Sequence, residues 1–304
     1  MTKAKQPHIG IITPVFNKVE HTRKFLKTVK KQTYSNYRVY VIDDASTDNT
    51  NDIISKEFPE VVILRSEEGN LWWAGGTNLG VEHALKDAVD YVLFINNDVE
   101  MSPHYLQDIM TTAAEYPASL VGSMILDQQH PNNVWFMGGY MDANNGRMAH
   151  KTGAKKDYSK DLAADWLTGM GLLIPTDVFA KIGMLNQEKY PQYYGDTDFS
   201  LRAKEAGYGL VVSQNAKLSA DVSSSWVSTW LRKPRVTFLY NLYFSRRSPF
   251  QLSKTVYFYH CNWNKSNYLV ALLKLYTVGL KGVYIGYMRS FAKRILVAVR
   301  VLPS

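Results

Sequence analysis

The stretch Tyr91-Val92-Leu93-Phe94-Ile95-Asn96-Asn97-Asp98-Val99-Glu100 decides the fold, because five hydrophobic residues run straight into two amides and a carboxylate. A strand buried on both faces of a parallel sheet reads as such an unbroken run, and its carboxyl end is where open α/β sheets place ligands. Three similar units precede it. Ile9-Gly10-Ile11-Ile12-Thr13 is closed by Pro14 and leads through Val15-Phe16-Asn17 to a helical stretch with Phe25, Leu26 and Val29 on one face. Arg38-Val39-Tyr40-Val41-Ile42 ends at Asp43-Asp44-Ala45-Ser46-Thr47-Asp48, whose Ser and Asp suit the cap of a helix through Ile53 and Ile54. Val61-Val62-Ile63-Leu64 is followed by a loop from Gly69 to Gly80 and a helix over Val81 to Asp87.

Beyond Asp98, Ser102 and Pro103 fit N-cap and first-turn positions, and Leu120-Val121-Gly122 reads as a fifth strand. Tyr140 to Met148, centred on Asn144-Asn145-Gly146, reads as a hairpin. Alternating strands and helices predict an α/β fold with a doubly wound, mostly parallel sheet.

A chain of 304 residues with 46% hydrophobic content accommodates one such domain and an appendage. Its single cysteine, Cys261, cannot form an internal disulfide, and the first eight residues lack the apolar core of a signal peptide. Both features favour a cytoplasmic setting. The net charge of +8 is unevenly spread: residues 222–304 hold 13 Lys/Arg and no Asp/Glu, leaving 22 basic against 27 acidic side chains in residues 1–221. A domain over 1–221 and a basic, aromatic-rich helical region over 222–304 are therefore expected.

In that region Leu272, Leu273, Val278, Leu280, Ile285 and Met288 alternate with Lys274, Lys281, Arg289, Lys293 and Arg294. No uncharged stretch reaches the roughly 18–20 residues of a spanning helix. The pattern fits amphipathic helices at an anionic membrane surface, peripheral on the inner face, and equally helices that pack on the domain or form a homo-oligomer.

Neither GxGxxG nor GxxxxGK[ST] occurs, so phosphate must be held without a dinucleotide fingerprint or a P-loop. Asp98 at a strand end suits a hard cation, Mg²⁺ or Mn²⁺, that bridges a diphosphate. Asp44 presents an acceptor-only carboxylate to a base edge. Singly each reads as a turn or cap residue; at successive strand ends they read as a site. Gly195-Asp196-Thr197-Asp198 opens a further helix in which Asp196 suits an N-cap, with Arg202 four residues beyond Asp198. Trp72-Trp73-Ala74-Gly75-Gly76 reads either as an aromatic wall with close backbone approach to a ligand or as core packing around a turn.

Six ordered segments resemble family 2 glycosyltransferases: Thr13-Pro14-Val15-Phe16-Asn17, Ile42 to Asp48, Asn70 to Gly80, Asn96-Asn97-Asp98, Leu167-Thr168-Gly169-Met170-Gly171 and Gly195 to Arg202. The resemblance covers about the first 215 residues. It implies a GT-A fold, a nucleotide-diphosphate sugar donor, a divalent metal and inversion at the anomeric carbon. It further implies that Asp44 meets the base, that Asn97-Asp98 stands for a DxD motif with Asp98 on the metal, and that Asp196 is the catalytic base. Pro14, Asn17, Gly75, Gly76 and Asn78 are then expected on the donor, and Trp166, Thr168, Gly169 and Asp198 on the acceptor side.

Two positions depart from the family pattern. Asn96 replaces the first Asp of DxD, and where a ligating His is common the chain has Ser219-Ala220-Asp221-Val222-Ser223, which makes Asp221 the substitute ligand. The resulting expectation is an inverting, metal-dependent transferase that uses dTDP-rhamnose, or next a UDP-sugar, and extends a surface-polysaccharide or lipid-linked saccharide acceptor. The rival expectations are a non-catalytic nucleotide-sugar-binding scaffold and a nucleotidyltransferase, the latter lacking its basic glycine-rich loop. Nucleic acid is not an expected partner.

Overall fold

The computed structural model describes residues 6–142, 147–222, 237–246 and 248–262, with isolated residues between 272 and 288. The chain divides into two compact units, one of residues 1–141 and 148–221, the other of 142–147 and 222–304.

The first unit opens with β1 (Ile9–Val15), α1 (Val19–Val29), β2 (Tyr37–Asp43), α2 (Thr50–Glu57), β3 (Val62–Arg65), α3 (Trp72–Lys86) and β4 (Tyr91–Phe94). These strands pair in parallel in the order β3-β2-β1-β4. Each strand run is apolar because helices cover both faces of the sheet, and Ile9, Ile11, Ile12, Val41, Ile42, Val92 and Leu93 are wholly buried. The amphipathic face of α1 buries Phe25, Leu26 and Val29, as its spacing predicts.

The chain continues with β5 (Val99–Met101), α4 (Tyr105–Glu115), β6 (Ser119–Asp127), β7 (Asn133–Phe136), β8 (Gly139–Asp142), β9 (Arg147–His150), β10 (Gly153–Ala154), β11 (Leu162–Ala163), β12 (Leu172–Pro175), α5 (Asp177–Ile182), α6 (Gly195–Glu205) and β13 (Gly209–Ala220). The expected fifth strand is present as β6, but it does not neighbour β4. Strand β12 inserts between them, antiparallel to both, with Leu172 opposite Phe94 and Leu173 opposite Val121. β13 runs parallel to β6 and antiparallel to β5, bringing Ala220 opposite Val99. The β8–β9 pair forms its own two-stranded sheet. The Asn144-Asn145-Gly146 centre of that hairpin lies outside the described residues.

The starts of α3 and α4 differ from expectation. α3 begins at Trp72, so most of the expected glycine-rich loop is helix. The reason is tertiary. A Cβ on Gly80 would stand 2.5 Å from Ile12 Cγ2 and 2.7 Å from Ile42 Cδ1, so the helix lies against β1 and β2 only with glycine there. Intrinsic propensity penalises each helical glycine by about 1 kcal/mol, which close packing offsets. α4 begins at Tyr105 with His104 as N-cap, since the Pro103 carbonyl instead accepts the Thr33 N–H at 2.8 Å. At α2 the side-chain acceptor is Asp48, which takes the Thr50 N–H on Oδ1 and the Val19 N–H on Oδ2 and so serves the first turns of two helices.

In the second unit the described helices are Thr237–Phe244 and Leu252–Asn262. Phe258 and Tyr259 are buried, and Lys254 Nζ, buried with them, donates to the Ser248 carbonyl at 3.2 Å while burial pushes its pKa down to about 8. Tyr240, Phe244, Leu252 and Val256 are exposed. Most of the basic amphipathic pattern expected beyond residue 262 lies outside the described residues, and among those described no helix is long and apolar enough to cross a membrane.

Candidate active site

Sheet register gathers the expected residues at one edge. β1, β2 and β4 are parallel, with Val15 opposite Asp43 and Ile12 opposite Phe94, so the segments after them emerge together. β12 is antiparallel, which brings the segment before it, Thr168–Gly171, to that same edge, and the Gly171 N–H donates to the Phe94 carbonyl at 2.9 Å.

At the β1 and β2 ends, Asn17 sits in the left-handed region at φ 49. Its Oδ1 accepts the Thr47 N–H at 2.7 Å, and its own N–H donates to Ser46 Oγ at 2.9 Å. Asp44 receives the Leu71 N–H on Oδ1 and the Trp72 N–H on Oδ2, each at 3.0 Å. A carboxylate at these unpaired amides suits the positive end of α3. It also holds Trp72 at φ 57, a strained conformation for a bulky residue of the kind that clusters at ligand sites. A base edge would share a carboxylate already engaged in building the helix start.

Pro14, Gly76 and Asn78 have packing roles here. A Cβ on Gly76 would lie 3.1 Å from Pro14 Cβ, and Gly75 faces Leu71 and Gln187. Asn78 is buried, donating to the Leu185 carbonyl at 2.9 Å and Gln187 Oε1 at 2.8 Å and accepting the Leu185 N–H at 3.0 Å. These bonds engage the polar groups that were expected to face the donor.

The Asn96-Asn97-Asp98 turn splits its tasks. Asn97 is buried, donating to Thr22 Oγ1 at 2.8 Å. Asn96 Oδ1 accepts the Trp73 indole N–H at 3.1 Å. Asp98 is exposed and pairs with Lys18 Nζ at 3.8 Å between two solvated side chains, a contact that contributes about 0–1 kcal/mol. Because Ala220 is opposite Val99, Asp221 and Asp98 leave the β13–β5 ladder side by side. Asp221 accepts a hydrogen bond from Gln129 Nε2 at 3.4 Å. Among the described residues no three His, Cys, Asp or Glu side chains stand together as a metal cage. A Mg²⁺-type ion needs no such cage, being held by one or two carboxylates together with substrate phosphates and water. The exposed Asp98 carboxylate with Asp221 beside it fits that donor set.

Asp196 lies inside the first turn of α6, with Tyr194 rather than Asp196 at the N-cap position. Its Oδ2 accepts the Gly169 N–H at 2.7 Å and the Thr168 hydroxyl at 3.2 Å, and its Oδ1 accepts the Thr197 N–H at 2.8 Å. With the longer Thr197 hydroxyl contact to Oδ1 at 3.5 Å, these bonds take up most of the roughly four acceptor positions of a carboxylate and fix its orientation. Burial pushes its pKa up and prevails over the Gly169, Thr197 and Thr168 hydrogen bonds, which pull it down.

On the expected acceptor side, Asp198 is buried and paired with Arg202 Nε at 2.9 Å, the i+4 contact read from the sequence. Arg202 also donates to the carbonyls of Ile182 at 2.7 Å and Met184 at 2.9 Å, so the pair ties α6 to the segment after α5. The Trp166 ring lies across Gly139, where a Cβ would come within 2.0 Å of it, and packs against Phe136 at 5.5 Å. Two residues at the edge went unassigned in the sequence. Phe16 is 53% exposed, and its place between Pro14 and Asn17 was the available signal. Trp73 spans from Asn96 to Gly169, a contact with no local sequence signature.

A parallel β3-β2-β1-β4 core, an antiparallel β12 and carboxylates at the shared edge define the GT-A class of nucleotide-diphospho-sugar transferase domains. The chain belongs to glycosyl transferase family 2, whose family model matches residues 10–169. It is similar to the glycosyltransferase GlyA of Streptococcus pneumoniae, 32% identical over 114 residues, which is 37% of this chain and 16% of that protein. It is also similar to the GalNAc(5)-diNAcBac-PP-undecaprenol beta-1,3-glucosyltransferase of Campylobacter jejuni, 23% identical over 126 residues and 40% of each chain. Among solved structures, GalNAc-T7 with UDP, GalNAc and Mn²⁺ superposes with a TM-score of 0.58 at 12% identity, over 70% of this chain and 43% of that one. The chain thus spans less than half the length of each of these three proteins.

Proposed function

We propose that this chain transfers a sugar from a nucleotide-diphosphate donor to an acceptor hydroxyl with inversion, Asp196 serving as general base. The observation that carries this reading is the Asp196 carboxylate, fixed by hydrogen bonds from Thr168, Gly169 and Thr197 at the sheet edge that also bears Asp98, with its pKa raised by burial. In the reaction the acceptor oxygen bonds to the anomeric carbon while the bond from that carbon to the diphosphate oxygen breaks. The acceptor proton passes to Asp196, and the bonding electron pair leaves with the diphosphate. A raised pKa makes the carboxylate a better proton acceptor than an ordinary one. Asp98, with Asp221 beside it, would hold the divalent ion, whose chemistry when bound is neutralisation of charge on the departing diphosphate. Phe16 follows Val15, whose carbonyl accepts the Asp44 N–H at 3.0 Å, and offers an exposed aromatic face for a base.

The donor favoured is dTDP-rhamnose, from the likeness of the Trp72–Gly76 segment to rhamnosyltransferases, with a UDP-sugar next. A thermal-shift panel of nucleotide sugars with and without Mn²⁺ tests it. A donor at a hundredfold excess over Kd stabilises by about 2.7 kcal/mol, a rise of roughly 5–10 °C in Tm. A panel of dTDP- and UDP-sugars that leaves Tm unmoved would exclude this donor class.

The acceptor proposed is a growing surface-polysaccharide or lipid-linked saccharide reached at the inner membrane face. Support comes from the absence of acidic residues in 222–304 and the exposed Tyr240, Phe244, Leu252 and Val256. Flotation with vesicles containing anionic lipid should carry the protein upward at low salt and release it at high salt. Equal recovery with neutral vesicles would argue against an electrostatic contact.

A further inference from the structure

We propose that Trp73 is a positioning residue, a strut that fixes the loop holding the base and the metal-binding turn relative to each other. This rests on the transfer reading above and adds a residue to which that reading gives no role. Three contacts converge on the side chain. Nε1 donates to Asn96 Oδ1 at 3.1 Å, two residues before Asp98. The ring edge lies over Gly169, where a Cβ would meet Cζ2 at 2.3 Å and Cη2 at 2.4 Å, and the Gly169 N–H itself binds Asp196 Oδ2. The ring also stands edge-on to Phe94, the last residue of β4, with centroids 6.1 Å apart and planes at 90°.

Packing alone explains the Phe94 contact but not the aimed hydrogen bond. The neighbouring Trp72 shows what an unaimed indole looks like, because its Nε1 is buried with no hydrogen-bond partner among the described residues. Trp73 instead links Asn96 on β4's exit to Gly169 on β12's approach. One rigid ring therefore spans the gap between the proton acceptor and the turn that would hold the metal. Any shift of this ring moves both.

The test measures Mn²⁺-dependent binding of UDP and dTDP by calorimetry, with Tm recorded for every variant. Trp73→Phe keeps a ring and removes the N–H, and should weaken metal-dependent nucleotide binding roughly tenfold, as loss of a partner that orients a ligand-bearing turn does. Asn96→Leu removes the same bond from its acceptor end and should match it. Asn96→Asp keeps an acceptor for the indole and should retain binding. Because both losses remove one interaction, Trp73→Phe with Asn96→Leu should be no worse than either alone. Additive losses, or undiminished binding in a folded Trp73→Phe or Asn96→Leu protein, would overturn the strut. If the unsubstituted protein binds neither nucleotide with Mn²⁺, the transfer reading fails and the strut with it, which separates the two failures.

Discussion

Asp196→Asn is expected to lower sugar transfer by about 10²–10⁴-fold, the usual contribution of a positioned proton acceptor, while leaving nucleotide binding close to that of the unsubstituted protein. The amide has the carboxylate's shape and keeps an oxygen for the Gly169 N–H, but it cannot accept the acceptor's proton. The pH dependence is a second signature. Asp196 must be ionised to act, and burial raises its pKa, so the acid limb of kcat/KM should fall above the ordinary carboxylate value of about 3.9. The stability effect has the opposite sense. A folded-state pKa above the unfolded one means that the folded state binds this proton more tightly, so the contribution is present at low pH and lost as pH rises through the raised value. The active, ionised form is thus the less stable one. Rates in Asp196→Asn equal to the unsubstituted protein's would remove Asp196 as base.

What the sequence discloses here follows the range of the interactions involved. β1, β2 and β4 were readable because a strand buried on both faces must be apolar along its own length. The Asp198–Arg202 pair was readable because an i+4 contact is local. The start of α3 is hidden because Gly76 and Gly80 look like a loop until Ile12 and Ile42 lie beneath them. The direction of β12 was hidden for a related reason: Leu172-Leu173-Ile174 is equally apolar whichever way it runs, and the inserted position depends on partners about 50 and 80 residues away. The site divides in the same way. Asp44, Asp98 and Asp196 stand out as carboxylates at element ends. The ring that joins two of their neighbourhoods does not, since Trp73 and Asn96 are 23 residues apart and Trp73 and Gly169 lie in separate loops and helices.

Asp98→Ala should reduce Mn²⁺-dependent nucleotide affinity on the order of 10²-fold, equivalent to about 2.8 kcal/mol, with little change in Tm. The small stability effect follows from solvation: Asp98 is exposed, and its pair with Lys18 at 3.8 Å is too long and too wet to hold the turn. Asn96 and Asn97 keep their own bonds to Trp73 and Thr22, so the backbone that presents position 98 stays in place. Loss of affinity would therefore report loss of a ligand rather than of a fold. Asp221→Ala sharpens the reading, because the β13–β5 register sets it beside Asp98 and a shared ion would feel both carboxylates. Its loss should be in the same direction but smaller, and higher Mn²⁺ should recover more of the binding than in Asp98→Ala. With the metal chelated by EDTA, all three proteins should bind nucleotide equally weakly. A difference between Asp98→Ala and the unsubstituted protein that persists in EDTA would place Asp98 on the nucleotide itself and take the ion out of its role.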